Sequence, residues 1–431
     1  MAGGDAPTWG KKRQALLTLQ EAWAVIEESF GPAPGSGTPG GRVVGSEAVS
    51  FQDALGRVLA APISTPDDYP AFDKSMMDGF AVRAADCASA GARLDIRGLV
   101  SAGQVFDERL GAGEAVQINT GACVPNGADA VVRIEDTRVE GQTVLIQVAV
   151  KAGQSIAGRG TTRRAGDTVL APPLRLGPAH IAAAAASGVA EIEVRQRVGA
   201  AIVSTGDELV RSGKSRRPGE IYDSNGPMLA GMLRDFGAAP RDLGIIRDEP
   251  DKLKKSCAEA LGQPVVMVIG GMSMGTLDLV PQAFEELGVR WLFHGVQVRP
   301  GKPVAYGRGP DGQHVFGLPG NPASVFTCAW LFVRMVIRGL LGYAVAPPET
   351  VTARLGVELK PHRDARPAFI PASVSTEAGL GLSAAPCRWD GSGDPFGLAE
   401  ADALLVWSDP ARSVPAGSSV EVILLRGHPS E

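Results

Sequence analysis

The chain has 431 residues, 44% hydrophobic and 21% charged, with a formal net charge of −5. These are the proportions of an ordinary globular protein, and they exclude a wholly disordered or fibrous one. No basic run is longer than Lys11-Lys12-Arg13, which excludes nucleic acid as a main electrostatic partner but leaves room for a local cationic pocket.

At roughly 100–200 residues per domain, three or four domains are expected. Five cysteines, at 87, 123, 257, 328 and 387, form no CxxC pair. An odd, scattered set points to free thiols in a reducing compartment rather than to disulfides or structural zinc. The five histidines form no HxH or HxxxH pair. Residues 1–25 lack an apolar core followed by a small-residue cleavage site, so no signal peptide is expected. The longest apolar run, 181–186, is too short to span a bilayer. A soluble cytoplasmic protein with no membrane partner is the expectation.

In chain order, Thr18-Leu-Gln-Glu21 matches a capping box and predicts a helix to about residue 30. Residues 31–41 (GPAPGSGTPGG) form a Gly/Pro/Ser linker. A strand, a short helix at 52–59 and a strand into Pro66 follow. Residues 67–195 are punctuated by Gly, Pro and Asp, and short alternating runs at 115–119, 130–134 and 144–150 read as strands. Two β-rich modules are expected here, one inserted in the other. An alanine-rich helix at 180–187 leads to a strand at 190–194.

From 198 to 342 strands alternate with helices. Strands are expected at 200–204, 242–246, 265–270, 296–298 and 314–318, and helices at 224–236, 250–261, 280–287 and 322–341. That alternation predicts a doubly wound α/β sheet. Asn321 fits an N-cap and Pro322 the first helical position. The apolar face of the last helix reads as core. Residues 347–431, short strands with Gly and Pro turns, predict a small β-barrel or sandwich. The expected domains are a helix at 14–30, a linking β module from 43–66 and 152–195, an inserted β-rich domain at 67–151, an α/β domain at 196–346 and a C-terminal barrel at 347–431.

Four strand ends finish in loops rich in carboxylates and glycines: VSTGDEL (203–209), GIIRDEP (244–250), GGMSMGTLD (270–278) and GLPGNP (317–322). In an open parallel sheet the loops at the carboxyl ends line the ligand crevice. Glu208, Asp248 and Asp278 are therefore candidate ligands for Mg²⁺, which takes one or two protein carboxylates and completes its shell with water and phosphate. Singly, each would pass for an acidic surface loop. The glycines of GGMSMG can bring backbone amides to an anion, and serve equally as a plain turn. RPGKP (299–303) holds two cations between prolines, suited to an oxyanion or to solvent. PAFDKSMMDGFAVR (70–83) has no simple local reading, and TGACVPNGADAVV (120–132) reads first as a hairpin turn. Cys123 and Cys328 have no nearby histidine in sequence and read as inert thiols.

Taken in order, PAFDKSMMDGFAVR, INTGACVPNGADAVV, STGDEL, GEIYDSN, LGIIRDEP, GGMSMGTLD, RPGKP and GLPGNPAS resemble the molybdopterin molybdenumtransferase family. That family includes bacterial MoeA-type proteins and the E domain of gephyrin. The resemblance covers about residues 14 to 425. It implies an elongated four-domain homodimer. It also implies insertion of molybdate into adenylylated molybdopterin, with release of AMP and help from Mg²⁺. By that resemblance Glu208, Asp248 and Asp278 match residues important for activity, and Ser273, Arg299, Lys302 and Ser324 match a molybdate pocket. Pro319 and Pro322 shape the adjoining loop, and Asp223 and Asn225 lie in the matching GEIYDSN segment. Asp73 and Thr120 belong to the β-rich module that, by resemblance, faces the partner subunit's α/β domain. The dithiolene sulfurs belong to the substrate, so no protein thiol is required.

The chain departs from the family pattern in its β-rich part. The usual FDNSAMDGY carries Lys74 for Asn and Phe80 for Tyr, and the usual GEDI segment reads Ala157-Gly-Arg-Gly-Thr161-Thr162. These changes motivate a second reading, a gephyrin-like interaction scaffold with reduced activity. A third, the molybdopterin adenylyltransferase of the preceding step, is weakened by the extra β modules and by GGMSMG in place of a GGTG-type loop. That enzyme is expected instead as a partner. Molybdate and tungstate are both admissible substrates.

Overall fold

The computed structural model describes residues 15–31, 43–247, 249–272, 279–377 and 381–425. Two compact units form. One comprises residues up to Glu47, Gly56–Val58 and Val194 onward, and the other Ala48–Leu55 and Leu59–Glu193.

The second unit is built on a six-stranded sheet in the order Ala130–Arg133, Gly79–Val82, Glu114–Ile118, Ala92–Val100, Thr143–Ile146, Thr137–Glu140. Only Ala92–Val100 and Glu114–Ile118 run parallel. Side chains alternate faces along each strand, so Phe80, Val82 and Val132 enter one core while Ala81, Val116 and Val131 enter another. The strand Ala92–Val100 was not among the expected elements, although Arg93, Asp95 and Arg97 alternate with Ala92, Leu94 and Ile96 as in a half-buried strand. The helix expected at 52–59 shrinks to Phe51–Ala54, capped by Ser50. Gly79 sits at the centre of the sheet, where a Cβ would lie 1.8 Å from the Val132 carbonyl oxygen. Backbone cannot yield there. Gly79→Ala is therefore expected to cost at least about 1–3 kcal/mol, seen as a lower denaturation midpoint; an unchanged midpoint would refute this packing.

The first unit carries the α/β domain. Its strands are β1 (Val198–Thr205), β2 (Ala238–Ile246), β3 (Val265–Ile269), β4 (Arg290–His294), β5 (Ala305–Arg308) and β6 (His314–Leu318). They lie in the order β2-β1-β3-β6-β5-β4. The first four are parallel, and β5 and β4 add an antiparallel edge. Strand β3 (VVMVI) is buried throughout, as a parallel strand covered on both faces must be. The covering helices are α1 (Asn225–Asp235), α2 (Pro250–Ala260) and α3 (Leu279–Glu286). The strand expected at 296–298 is not part of this sheet. Val296 instead bridges Leu17, and Arg299 bridges Ala368.

The last long helix runs from Pro322 to Leu340, interrupted by a π turn at Ala329–Val333. It is apolar enough to cross a membrane by composition, yet 78% of it is buried inside the protein, as a core helix is. A π turn displaces the normal helical hydrogen bonds, and the Trp23 indole donates to the Leu331 carbonyl there at 3.0 Å. Trp23 lies on the helix Leu19–Glu28, whose Thr18–Glu21 capping box forms as expected. The C-terminal region is a closed barrel of β7 (Val351–Leu355), β8 (Ala368–Glu377), β9 (Gly381–Pro386), β10 (Ala403–Trp407) and β11 (Ser419–Leu424), ordered β7-β9-β8-β10-β11. Its Phe369, Leu404 and Ile423 pack into the α/β core rather than into the barrel's own.

Candidate functional site

The carboxyl edge of the parallel strands gathers most of the α/β residues singled out above. Strand β1 ends in buried Ser204 and Thr205. The Ser204 hydroxyl donates to Asp223 Oδ2 at 2.9 Å, and Asp223 Oδ1 accepts the Gly226 amide at 3.0 Å. Asp223 thus ties β1 to the first turn of α1. Beside it Asn225, only 8% exposed, donates Nδ2 to the Gly320 carbonyl at 2.6 Å. Its Oδ1 is buried and has no partner, which leaves one acceptor open at the helix start. Gly206 has φ +146°, a backbone angle that favours glycine, while a Cβ there would meet only the movable end of the Glu208 side chain, at 2.6 Å. Glu208 itself is exposed, and its carbonyl accepts the Ile221 amide at 2.8 Å.

After β3, Gly270 (φ +86°) passes so close to β1 that a Cβ would lie 2.7 Å from the Thr205 carbonyl. Met272 is buried and its carbonyl meets His294 Nε2 at 3.2 Å. Ser273 and Asp278, and likewise Asp248 after β2, lie outside the described residues. Among the described residues no group of three metal-ligating side chains is assembled. Glu208 is thus the only described member of the expected Mg²⁺ set. It is a hard oxygen donor in no ion pair among the described residues, and so fits the part.

After β6, Pro319 is buried and Ser324 is 4% exposed. Asn321 holds the N-cap position but does not cap with its side chain. Its Nδ2 donates instead to Ser392 Oγ at 2.9 Å, while the Ser392 carbonyl accepts the Ala323 amide at 3.1 Å. The RPGKP loop sits against the same helix: a Cβ on Gly301 would lie 2.6 Å from Cys328 Sγ and 3.8 Å from the Ser324 carbonyl. The barrel grips the loop's other side, with Arg299 N–H on Pro367 O at 2.9 Å and Phe369 N–H on Arg299 O at 2.8 Å. Lys302 is exposed.

Two residues here had no signal in the sequence. Arg366 forks onto Asp364, with Nε at 2.9 and 3.1 Å from the two carboxylate oxygens, and its Nη1 donates to Val298 O at 2.9 Å. The Arg366 hydrogen bonds push Asp364 down to about 2. Arg299 is shifted below its ordinary value by burial and by Arg366, with Asp364 opposing. Arg366 is therefore bonded to the one carboxylate beside the RPGKP loop, and Arg299 feels its field without bonding to it. Asp364 and Arg366 lie far along the chain from the motifs, and only the barrel's docking brings them in.

In the other unit, Asp73 Oδ1 accepts the Arg159 amide at 2.7 Å, and Asp78 Oδ1 accepts both the amide (2.6 Å) and the hydroxyl (2.9 Å) of Thr120. These Thr120 bonds, the amide first, hold Asp78 below its ordinary range. Arg159 Nε reaches Asp68 at 2.7 Å, and the Thr161 hydroxyl closes the turn on Gly158 O at 2.7 Å. Asp73, Asp78, Thr120 and the unusual 157–162 segment thus form one cluster. Burial raises Cys123 and Cys328, the direction that makes a thiol less reactive.

Known proteins place this architecture. The family model described as "MoeA N-terminal region (domain I and II)" matches residues 17–188. "Probable molybdopterin binding domain" matches 201–339 and "MoeA C-terminal region (domain IV)" matches 352–425. A molybdopterin molybdenumtransferase from Nostoc is 36% identical over 389 residues, 88% of this chain and 89% of its own length. One from Staphylococcus epidermidis is 31% identical, over 89% and 92%. The chain belongs to the molybdopterin molybdenumtransferase family. A solved molybdopterin biosynthesis MoeA protein from Pyrococcus horikosii superposes with a TM-score of 0.79 at 32% identity, over 96% of this chain and 100% of that one. Like its family, this chain is a transferase of molybdenum cofactor biosynthesis.

The Asp364–Arg366 pair has a pH signature. A carboxylate whose folded pKa is depressed stabilises the fold above its ordinary pKa of about 3.9. That contribution is lost as the pH falls toward 2. Asp364→Asn should therefore be less stable than the parent at neutral pH, and the gap should close between about pH 4 and pH 2. Denaturant titrations across that range read it; a gap constant with pH would rule the pair out as its cause.

Proposed function

We propose that the carboxyl edge of the α/β sheet transfers molybdenum from molybdate to adenylylated molybdopterin and releases AMP. The reading rests most on the charge at the RPGKP loop, where two guanidiniums lie in the field of one carboxylate and Lys302 adds a further cation. That surplus suits a tetrahedral dianion. In this reading Arg299 and Lys302, with Ser273 and Ser324, hold molybdate. Pro319 and Pro322 fix the loop beside it. Asp223 orients the start of α1, and the unpartnered Asn225 Oδ1 accepts an N–H of the pterin ring.

Glu208, Asp248 and Asp278 would hold Mg²⁺, which when bound neutralises the phosphoanhydride and the departing AMP. Asp73 and Thr120 serve the same reaction from the β-rich module of the partner subunit in a homodimer. An adenylyltransferase supplies the nucleotide-tagged pterin. All five cysteines are free, which suits the reducing cytoplasm.

Asp278→Ala and Glu208→Gln should each lower AMP release from adenylylated molybdopterin plus molybdate about 100-fold or more, with melting temperatures near the parent's. Full activity in the Asp278 variant would remove the carboxylates from the mechanism. Arg299→Ala and Lys302→Ala should raise the molybdate concentration needed for half-maximal rate about tenfold each. Affinity for the adenylylated pterin should stay unaltered. Tungstate should compete; an unchanged molybdate dependence would relocate the oxyanion site.

A further inference from the structure

The opposite edge of the same sheet, where its parallel strands begin, carries a cavity of about 490 Å³. Its walls come from the end of the helix Leu19–Glu28 with Ser29 and Phe30, from residues 43–45, from the turn at 261–264 and from residues 308–314. Phe30, Val44 and Leu340 supply an apolar side, and Arg308, Gln313 and His314 a polar one.

The polar floor is a directed chain. Ser29 has one hydroxyl proton, and it goes to the Ile26 carbonyl at 2.6 Å. Tyr306 Oη, 2.6 Å from Ser29 Oγ, must then donate to it. Tyr306 Oη is left to accept, with His314 Nδ1 2.8 Å away. Arg308 Nη1 reaches both ring nitrogens of His314, Nε2 at 2.5 Å and Nδ1 at 2.9 Å, so the arginine meets the neutral ring whichever nitrogen carries the proton. Burial and the Arg308 charge hold His314 well below its ordinary pKa, and its ring lies tilted against Phe30 with centroids 4.8 Å apart.

Arg308 is thus a half-buried cation met by a neutral acceptor. Among the described residues it forms no ion pair. Asp311, on the same rim, instead receives the Gln313 amide at 3.4 Å. A partly desolvated guanidinium without a counter-charge is costly, and an oxyanion on its free edge relieves that cost. The volume falls within the roughly 300–1,000 Å³ of small-molecule sites.

We propose that this cavity binds a small molecule with a carboxylate or phosphate-monoester head on Arg308 and an apolar body against Phe30, Val44 and Leu340. Molybdenum insertion at the far edge of the sheet does not enter this inference, and the two stand or fall separately. The test is calorimetry and ligand-observed NMR on the full chain with benzoate and phenyl phosphate as probes, and benzamide as the neutral isostere. Both anions should bind, and benzamide about tenfold more weakly.

Arg308→Met should weaken the anions about tenfold and leave benzamide unaltered. Val43→Trp, at a lining position 37% exposed, should fill the space and block all three without touching the polar chain. Melting temperatures near the parent's verify both folds. If Arg308→Met proves unstable, Val43→Trp decides alone. Failure of the parent to bind either anion, equal binding of benzamide, or anion binding that survives Val43→Trp would overturn the proposal.

Discussion

The clasp on residues 319–324 is the constraint on which the carboxyl edge depends. Three groups hold it: Asn225 Nδ2 on Gly320 O, Ser392 Oγ under Asn321 Nδ2, and Ser392 O on the Ala323 amide. They come from two residues far apart in the chain, Asn225 and Ser392. Together they fix the start of the long core helix, whose Cys328 in turn packs against Gly301 of the RPGKP loop. One consequence is chemical. A helix start normally offers free amides to an anion, but here the Ala323 amide is already spent on Ser392. Oxyanion binding at this edge must therefore lean on side-chain cations rather than on the helix start.

The parallel strands and their helices were legible because burial on both faces leaves a simple trace: continuous Val, Ile and Met in β3, and periodic apolar positions in α1 and α2. The antiparallel edge was not. Arg290–His294 and Ala305–Arg308 are short, half covered and mixed in composition. The neighbouring 296–298 segment carries the alternating pattern and spends it on bridges to Leu17 and, through Arg299, to the barrel. Local pattern reports that a segment is extended; it does not report which sheet it joins. Arg366 and Ser392 were illegible for the same reason. Their contribution is positional, made by a barrel that contacts the α/β core through Phe369, Leu404 and Ile423, and nothing periodic around them records that contact.

The β-rich unit shows how departures from a family pattern are absorbed. Where a carboxylate was expected, the 157–162 segment supplies an amide to Asp73 and a guanidinium to Asp68, and Thr161 bonds back within its own turn. Lys74 stands 5.9 Å over the Tyr69 ring. Each new group is satisfied locally, so the changes do not leave buried polar atoms in need of partners. What they alter is the charge this cluster presents: a carboxylate and an arginine of the family pattern are missing and a cation is gained at Lys74, on a surface where Asp73, Asp78 and Thr120 remain exposed.

Charge also separates the two edges of the α/β sheet. At the carboxyl edge Arg299 lies in the field of Asp364, which is bonded to Arg366, so its cation is partly compensated, and the surplus is spread over a loop the barrel holds rigid. At the amino edge Arg308 faces the ring of a neutral imidazole. The first arrangement keeps a cation in place while leaving its field available. The second leaves nearly the whole charge uncompensated, at a residue the same strand could have filled with an uncharged donor to His314. A cation kept where a neutral group would satisfy the hydrogen bond is best explained by an anion that visits it.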